Sequence, residues 1–200
     1  TEKSSMLLDY ITYIYMRYFC SGVIYQSTWS MNEQLPKLPE FIPTKIIHNG
    51  CSRDFFQLKN TCDSKGLVKR ILFISWSSNP SKGFGSLKKL VETGLAKKYV
   101  INAYGNLDTT ELDGINFHGP IGHQNIPKVL REHDIFLHAS YAECCSNALI
   151  EAIASNLTPV AVNNSSVPEL VSNASLLFGS DDELVEILHD LLVYKRHELP

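Results

Sequence analysis

The sequence predicts an α/β protein built on a parallel sheet with helices on both faces. Three observations carry this. Short apolar runs alternate with helix-length amphipathic stretches from residue 69 onward, which is the pattern of right-handed βαβ units. A chain of 200 residues, 44% hydrophobic and 20% charged, suits one ordinary globular α/β domain with a little to spare. The polar residues best suited to chemistry fall in loops that directly follow the apolar runs, where ligands bind in open parallel sheets.

The elements follow in order. Residues 4–19 are helical in pattern and rich in Tyr, Ile and Leu. Asp9 and Arg17 interrupt the apolar stretch, which is too short and too charged for a membrane span; a buried helix is expected. A strand follows at Val23–Tyr25, and a second helix starts near Ser27 or Ser30. Pro36, Pro39 and Pro43 exclude regular structure and mark a linker, so one domain should end at residue 43 and a second should occupy 44–200. Lys45–Ile47 reads as a strand entering an Asn49-Gly50 turn, and 57–66 as polar loop. Next come strand Ile71–Ser75, an Asn79-Pro80 loop, and a helix with Leu87, Leu90, Val91 and Leu95 on one face. Strands Tyr99–Tyr104 and Ile115–His118 end at Gly105 and at Gly119-Pro120, and helix 124–133 turns Ile126, Val129 and Leu130 inward. Strand Ile135–His138, helix 146–155, strand Val160–Val162, a short helix from Pro168, strand Ser175–Phe178 and helix 181–194 complete the chain. The last helix opens with Asp181 and Asp182, which suit its dipole, and buries Leu184, Ile187, Leu188, Leu191 and Leu192.

Several function classes have little support. A formal charge of −3 argues against a nucleic-acid partner, and Lys88, Lys89, Lys97 and Lys98 read as a solvated face. The five cysteines contain no C-x-x-C and read as reduced thiols of a cytosolic protein. There is no basic-then-apolar secretory signal, so the Asn-x-Ser/Thr sequons at Asn156, Asn163, Asn164 and Asn173 are expected to be unused. His118, His123, His133 and His138 lack metal-ligand spacing and read as structural histidines. No G-x-G-x-x-G, Walker-type loop or G-x-S-x-G elbow is present.

Three loops could carry chemistry. In Tyr141–Glu151, Glu143 follows strand 135–138, and Ser146 or Asn147 can cap the next helix. A helix starting at a strand's carboxyl end offers free N–H groups and a positive dipole to a phosphate. Glu151 lies about a turn and a half further on and can reach the same crevice. Two carboxylates flanking an anion site suit a sugar on one side and a ribose diol on the other, although a loop surface residue and a solvated helix residue would have the same spacing. Lys82, in Ser77–Phe84, also sits between a strand and a helix and could neutralise a diphosphate; the alternative is an exposed lysine. Pro168-Glu169 after strand 160–162 is good capping chemistry and need be nothing more.

Together these loops resemble the carboxyl-terminal domain of the retaining family 4 glycosyltransferases of GT-B architecture. The resemblance runs from about residue 45 to 190 and rests on Glu143 and Glu151 separated by seven residues, on Glu151-Ala152-Ile153-Ala154, on Lys82-Gly83-Phe84, on His48-Asn49-Gly50 with Phe55 and Phe56 shortly after, on Pro168-Glu169-Leu170-Val171 and on the Gly119-Pro120 loop. It implies a Rossmann-like parallel sheet forming the carboxyl-terminal half of the architecture, preceded in residues 1–43 by a remnant of the amino-terminal, acceptor-side domain. It implies catalytic roles for Glu143 and Lys82. In the donor site, Glu143 would contact sugar hydroxyls, main-chain N–H groups of Asn147, Ala148 and Leu149 would hold the distal phosphate, Glu151 would bind the ribose, Lys82 the diphosphate, and Pro120 and Ile121 would border the base. No metal or other cofactor is required.

The sequence departs from the family pattern in places. Ser77 stands where most relatives place an Arg, a second diphosphate clamp whose loss weakens leaving-group stabilisation. Asn156 replaces a Gly after the helix, a substitution that a left-handed cap accepts. The length implies a fragment of a two-domain enzyme rather than a natural short subunit. The expected partners are a UDP-, GDP- or ADP-sugar, a hydroxyl acceptor (glycan, lipid-linked sugar or protein) and the missing amino-terminal domain, in the cytoplasm or peripherally at a membrane through that absent domain. Two alternatives stay open: a non-catalytic nucleotide-sugar-binding or scaffolding module, and a GT-B-type nucleotide-sugar epimerase.

Overall fold

The computed structural model describes residues 2–34, 37–56, 69–77, 79–106 and 112–193, the side chains of residues 2–6 and 80 excepted. The polar segment 57–66, Pro36, Cys62 and the end of the last expected helix lie outside them. The chain divides into two compact units, Thr1–Asn49 and Gly50–Pro200.

The first unit contains helix α1 (Glu2–Phe19), strand β1 (Val23–Tyr25), helix α2 (Thr28–Glu33) and strand β2 (Thr44–Ile46). Ser27 starts α2: its Oγ accepts from Ser30 N at 3.0 Å and its own N–H donates to Ser30 Oγ at 3.1 Å, a reciprocal cap that satisfies two otherwise orphaned donors. Strand β2 does not open the second unit, as the proline cluster suggested. It pairs in parallel with β1, with Ile24 opposite Lys45, and flanking bonds from Val23 N to Pro43 O and from Ile47 N to Tyr25 O, both 2.9 Å, extend the ladder. Its main-chain groups are thus satisfied within the first unit, and the division falls after Asn49 instead of residue 43. Helix α1 is also not the buried helix expected. Leu7, Leu8, Tyr10, Ile11, Tyr15, Tyr18 and Phe19 are exposed, because a two-stranded sheet and a six-residue helix offer little to cover them. Among the described residues, no helix is long and apolar enough to cross a membrane.

The second unit contains β3 (Arg70–Ser75), α3 (Phe84–Glu92), β4 (Val100–Gly105), β5 (Ile115–Phe117), α4 (Ile126–Arg131), β6 (Ile135–His138), α5 (Asn147–Ala154), β7 (Thr158–Val162), α6 (Val167–Leu170), β8 (Leu177–Phe178) and α7 (Asp181–Leu191). The strands form one parallel sheet in the order β5-β4-β3-β6-β7-β8. The chain lays down β3, β4 and β5 in one direction, then returns to add β6 on the other side of β3. Ile71 lies between Ile101 and Ile135. These three side chains are completely buried, as are Leu72, Phe136 and Val160, because helices cover both faces of a parallel sheet. The Rossmann-like class predicted from the alternating pattern is the one observed.

Local differences have local causes. Helix α3 ends at Glu92, earlier than the apolar face implies: Gly94 adopts a left-handed φ of 73°, and Leu95 is buried from a separate single turn. Strand β7 begins at Thr158 and includes Pro159, which pairs with Phe136 on one side only, since β8 joins at Ala161; a proline is tolerated where one edge needs no donor. The expected strand 175–178 shortens to Leu177–Phe178 because Asn173 Oδ1 accepts from Ser175 N and Oγ at 3.1 and 2.8 Å and curls the chain into a turn. Asn156 takes φ 60° after α5, the left-handed cap anticipated for it.

Candidate functional site

Strand addition reverses between β3 and β6, which lie side by side, and open α/β sheets form ligand crevices at such a point. A cavity of about 420 Å³ occupies this place. It is lined by Ser75 at the end of β3 with Trp76, Ser77 and Lys82 from the loop that follows, by His138 at the end of β6 with Ala139, Ser140 and Glu143 from the next loop, and by Cys145 to Ala148 and Glu151 around the start of α5.

The first loop is shaped by its own polar side chains. Ser75 Oγ donates to Ser77 O at 2.9 Å, Asn79 N to Ser77 Oγ at 3.2 Å, and Ser81 N to Asn79 Oδ1 at 3.0 Å. The loop then closes in a single turn, with Lys82 N donating to Asn79 O at 2.9 Å. Gly83 follows at φ 86°, and a Cβ there would stand 2.4 Å from Ala139 Cβ and 2.6 Å from Ala139 O. Only glycine permits this approach, which brings the loop after β3 against the loop after β6. Tyr141 N donates to Ser81 O at 2.9 Å across the same contact.

Lys82 Nζ consequently reaches Glu143 Oε1 at 2.6 Å, and Ser140 Oγ donates to the same oxygen at 2.6 Å. Burial pushes the Glu143 carboxyl up, but the hydrogen bonds from Lys82 and Ser140 and the Lys82 charge outweigh it and hold the group below its ordinary value. The carboxylate is ionised at neutral pH. Its main chain is fixed from a third loop, after β7: Glu143 N donates to Ser165 Oγ at 3.1 Å, and Ser166 Oγ donates to Glu143 O at 2.8 Å.

Helix α5 begins where predicted. Ser146 caps it, its Oγ accepting from Leu149 N at 3.4 Å. That bond engages the Leu149 amide, and the Leu149 side chain is fully buried in the core. Ala148, in the first turn, has no intrahelical acceptor by construction and lines the cavity together with Asn147. Glu151, 9% exposed, faces the cavity from the next turn, where His123 Nε2 lies 3.2 Å from its Oε1.

Of the residues picked out from sequence, Ser77, Lys82, Glu143, Asn147, Ala148 and Glu151 therefore meet at one cavity. Pro120, Ile121 and the Leu149 side chain do not: Pro120 is exposed and Ile121 packs into the core. Beyond them, the turn after β5 brings His123, and the start of α4 brings Ile126, to the cavity. The histidines separate into two kinds. His133 Nδ1 lies 2.7 Å from Val129 O and its Nε2 2.8 Å from Asn102 Nδ2, and Asn102 Oδ1 lies 2.8 Å from His118 Nε2, a satisfied structural chain. His123 and His138 instead line the cavity; His138 is the last residue of β6 and His123 lies in the turn between β5 and α4, and no motif marked either of them. Phe55 is buried, takes Ser155 Oγ on its carbonyl at 3.1 Å and meets the His123 ring edge-on at 5.9 Å, so the segment after the Asn-Gly turn supports the cavity from below. Trp76, 51% exposed at the cavity, was also not anticipated.

The model of the family described as glycosyl transferases group 1 matches residues 69–193. The chain belongs to the group 1 glycosyltransferases. The matched segment holds Lys82, Glu143 and Glu151 together. HepE from Anabaena, solved with UDP-glucose, superposes with a TM-score of 0.75 over 94% of this chain and 58% of HepE, at 20% identity. The carboxyl-terminal domain of LpcC, a group 1 glycosyl transferase from Francisella tularensis, superposes with a TM-score of 0.59 over 75% of this chain and 92% of that domain, at 20% identity. The GPI3 subunit of phosphatidylinositol N-acetylglucosaminyltransferase from Saccharomyces cerevisiae is 29% identical over 70 residues, 35% of this chain and 16% of the subunit. The group 1 chain thus spans little more than half the length of HepE, and its parallel sheet is the Rossmann-like domain of the GT-B architecture.

Proposed function

We propose that this glycosyltransferase chain binds a nucleoside-diphosphate sugar in the cavity between the loops after β3 and β6 and, with an amino-terminal acceptor-side domain, transfers the sugar to a hydroxyl acceptor with retention. The observation that carries the proposal is the meeting of Lys82, Glu143, Glu151 and the start of α5 in one cavity at the switch point of the sheet.

The chemistry follows from charge placement. A diphosphate at the start of α5 would meet first-turn N–H groups and the positive end of the dipole. Lys82 has three donors, so it can keep Glu143 and add a phosphate oxygen. As the sugar–phosphate bond breaks, charge grows on the departing diphosphate, and a fixed ammonium and helix dipole stabilise it without reorganisation. Glu143, held ionised, accepts from sugar hydroxyls through Oε2, and Glu151 accepts from the ribose. His123, rather than Pro120 or Ile121, stands on the nucleoside side. The arrangement supplies leaving-group stabilisation without a metal. Ser77 leaves one cation fewer than the family pattern, which favours modest donor affinity and is the one feature that supports a scaffolding role instead.

Calorimetric titration of the full-length protein with UDP, GDP, ADP and their hexose conjugates tests the proposal. Micromolar binding of one nucleotide class, weakened at least about tenfold in Glu151→Ala through loss of charge-assisted hydrogen bonds to the ribose, is the expected result. A folded protein that binds none of them would end the donor-site reading in favour of scaffolding.

A further inference from the structure

Among the described residues that line the cavity, His138 carries a fully buried side-chain nitrogen with no protein partner. His138 closes β6, its ring stacked on Phe136 with centroids 6.3 Å apart and 19° between planes. It is 6% exposed, and its Nε2 is buried without a hydrogen-bond partner. Buried polar groups in native proteins are almost always paired, and leaving one without a partner costs about 1–3 kcal/mol, so the exception calls for a partner from outside the chain. His138 lines the cavity beside Lys82 and Glu143. Burial pushes its imidazole down to about 4, while the Glu143 carboxylate acts upward and the Lys82 ammonium downward, so the ring sits within the field of both charges and is neutral at pH 7. A neutral imidazole brings no charge to a diphosphate. Its second nitrogen, donor in one tautomer and acceptor in the other, matches a hydroxyl, which can serve as either.

Building on the donor-site reading, we infer that His138 is a specificity-determining residue: its Nε2 forms a hydrogen bond with a hydroxyl of the donor sugar, on the Glu143 side of the cavity. The nucleoside and diphosphate contacts belong to Glu151, His123, Lys82 and the start of α5. His138 acts on the sugar alone, which separates it from a residue that merely supports the fold.

The test compares the wild-type full-length protein with His138→Phe, which keeps an aromatic ring on Phe136 and removes the nitrogen, and with His138→Gln, which restores a polar terminus at similar reach. Each is titrated with UDP, UDP-glucose and UDP-N-acetylglucosamine or, where the wild type prefers another base, with GDP or ADP and its hexose conjugates under the same criteria. His138→Phe should leave UDP affinity within about twofold and weaken the UDP-sugar that binds wild type by about tenfold, the worth of one hydrogen bond; His138→Gln should recover most of that loss. Equal weakening of UDP and UDP-sugar overturns the inference, as does unchanged UDP-sugar binding by a folded His138→Phe. Should His138→Phe not fold, His138→Met takes its place under the same criteria. A wild type that binds none of the UDP, GDP and ADP nucleotides or their hexose conjugates defeats the donor-site reading and this inference with it, whereas a wild type that binds a nucleotide and its sugar conjugate and a variant that matches it in both defeats this inference alone.

Discussion

Gly83 and Gly85 lie two residues apart, and replacing each with alanine should shift stability in opposite directions. Gly83 holds φ 86°, and an added Cβ would lie 2.4 Å from Ala139 Cβ and 2.6 Å from its carbonyl oxygen. The left-handed backbone costs an L-residue about 1–2 kcal/mol, and forcing a methyl into a packed contact adds about 1–3 kcal/mol. Gly83→Ala should thus lose about 2–5 kcal/mol, which for a unit of this size corresponds to a fall in Tm of about 10 °C. Gly85 lies in the first turn of α3 with nothing within 4 Å of its added Cβ. There alanine should gain about 0.4–1 kcal/mol, mainly by restricting the unfolded chain. Thermal and urea unfolding of both variants provide the assay. The clash in Gly83→Ala is relieved most simply if the loop carrying Lys82 withdraws from Ala139, so UDP-sugar affinity should fall as well, while Gly85→Ala binds as wild type. Equal stabilities, or a destabilised Gly83→Ala with undiminished donor affinity, would refute the claim that this glycine sets the distance between the two loops.

Two further outcomes follow from the site. Ser77→Arg adds a second cation at the cavity edge, where Ser77 is exposed and gives up one exposed bond, from Asn79 N to Ser77 Oγ at 3.2 Å, while its carbonyl keeps the bond from Ser75; UDP and UDP-sugar affinities should rise about three- to tenfold with a steeper salt dependence, and titration at two ionic strengths checks this. Acidification should destabilise the protein: burial holds His138 at about 4 against about 6.5 unfolded, so the unfolded chain takes up the proton first. Stability present above pH 6.5 is therefore lost progressively down to about pH 4, by roughly 3 kcal/mol from this residue. His133, also pushed down by burial, adds in the same direction, and Glu143 adds its share only as pH falls through its lowered value. Urea unfolding between pH 7.5 and 4.5 should show a shallower acid loss in His138→Phe than in wild type; identical slopes would contradict the buried neutral ring.

Much of the second unit was legible because its signals are periodic or punctuated. The apolar runs at 71–75, 135–138 and 160–162, the Ser146 cap and the Asp181-Asp182 start each reflect one local rule, and the strands and helices they imply are present. The family-like spacing of Glu143 and Glu151 with Lys82 led to residues that share one cavity. What escaped was set by tertiary contact. Pairing of β2 with β1 depends on a segment some twenty residues away in the chain, so a proline cluster suggested the wrong boundary. Asn173 converts strand to turn through a side-chain bond that competes with the ladder. His123 and His138 carried no motif, since a histidine near a strand end looks the same whether its nitrogens are satisfied, as in His133, or turned to a cavity. The anchoring of Glu143 by Ser165 and Ser166 joins loops that no spacing rule links.

The strand order has one more consequence. The ammonium comes from the half of the sheet laid down first and both carboxylates from the half laid down second, so the gap between opposite charges is measured out by the hydrogen-bond ladder joining β3 to β6, with Phe73 opposite Leu137. A slip of one residue there would carry the acidic pair along the strand by about 3.3 Å and turn every side chain of the slipped strand to the other face. Backbone pairing buried deep in the core is thus the gauge that fits the charges to a ligand it never touches.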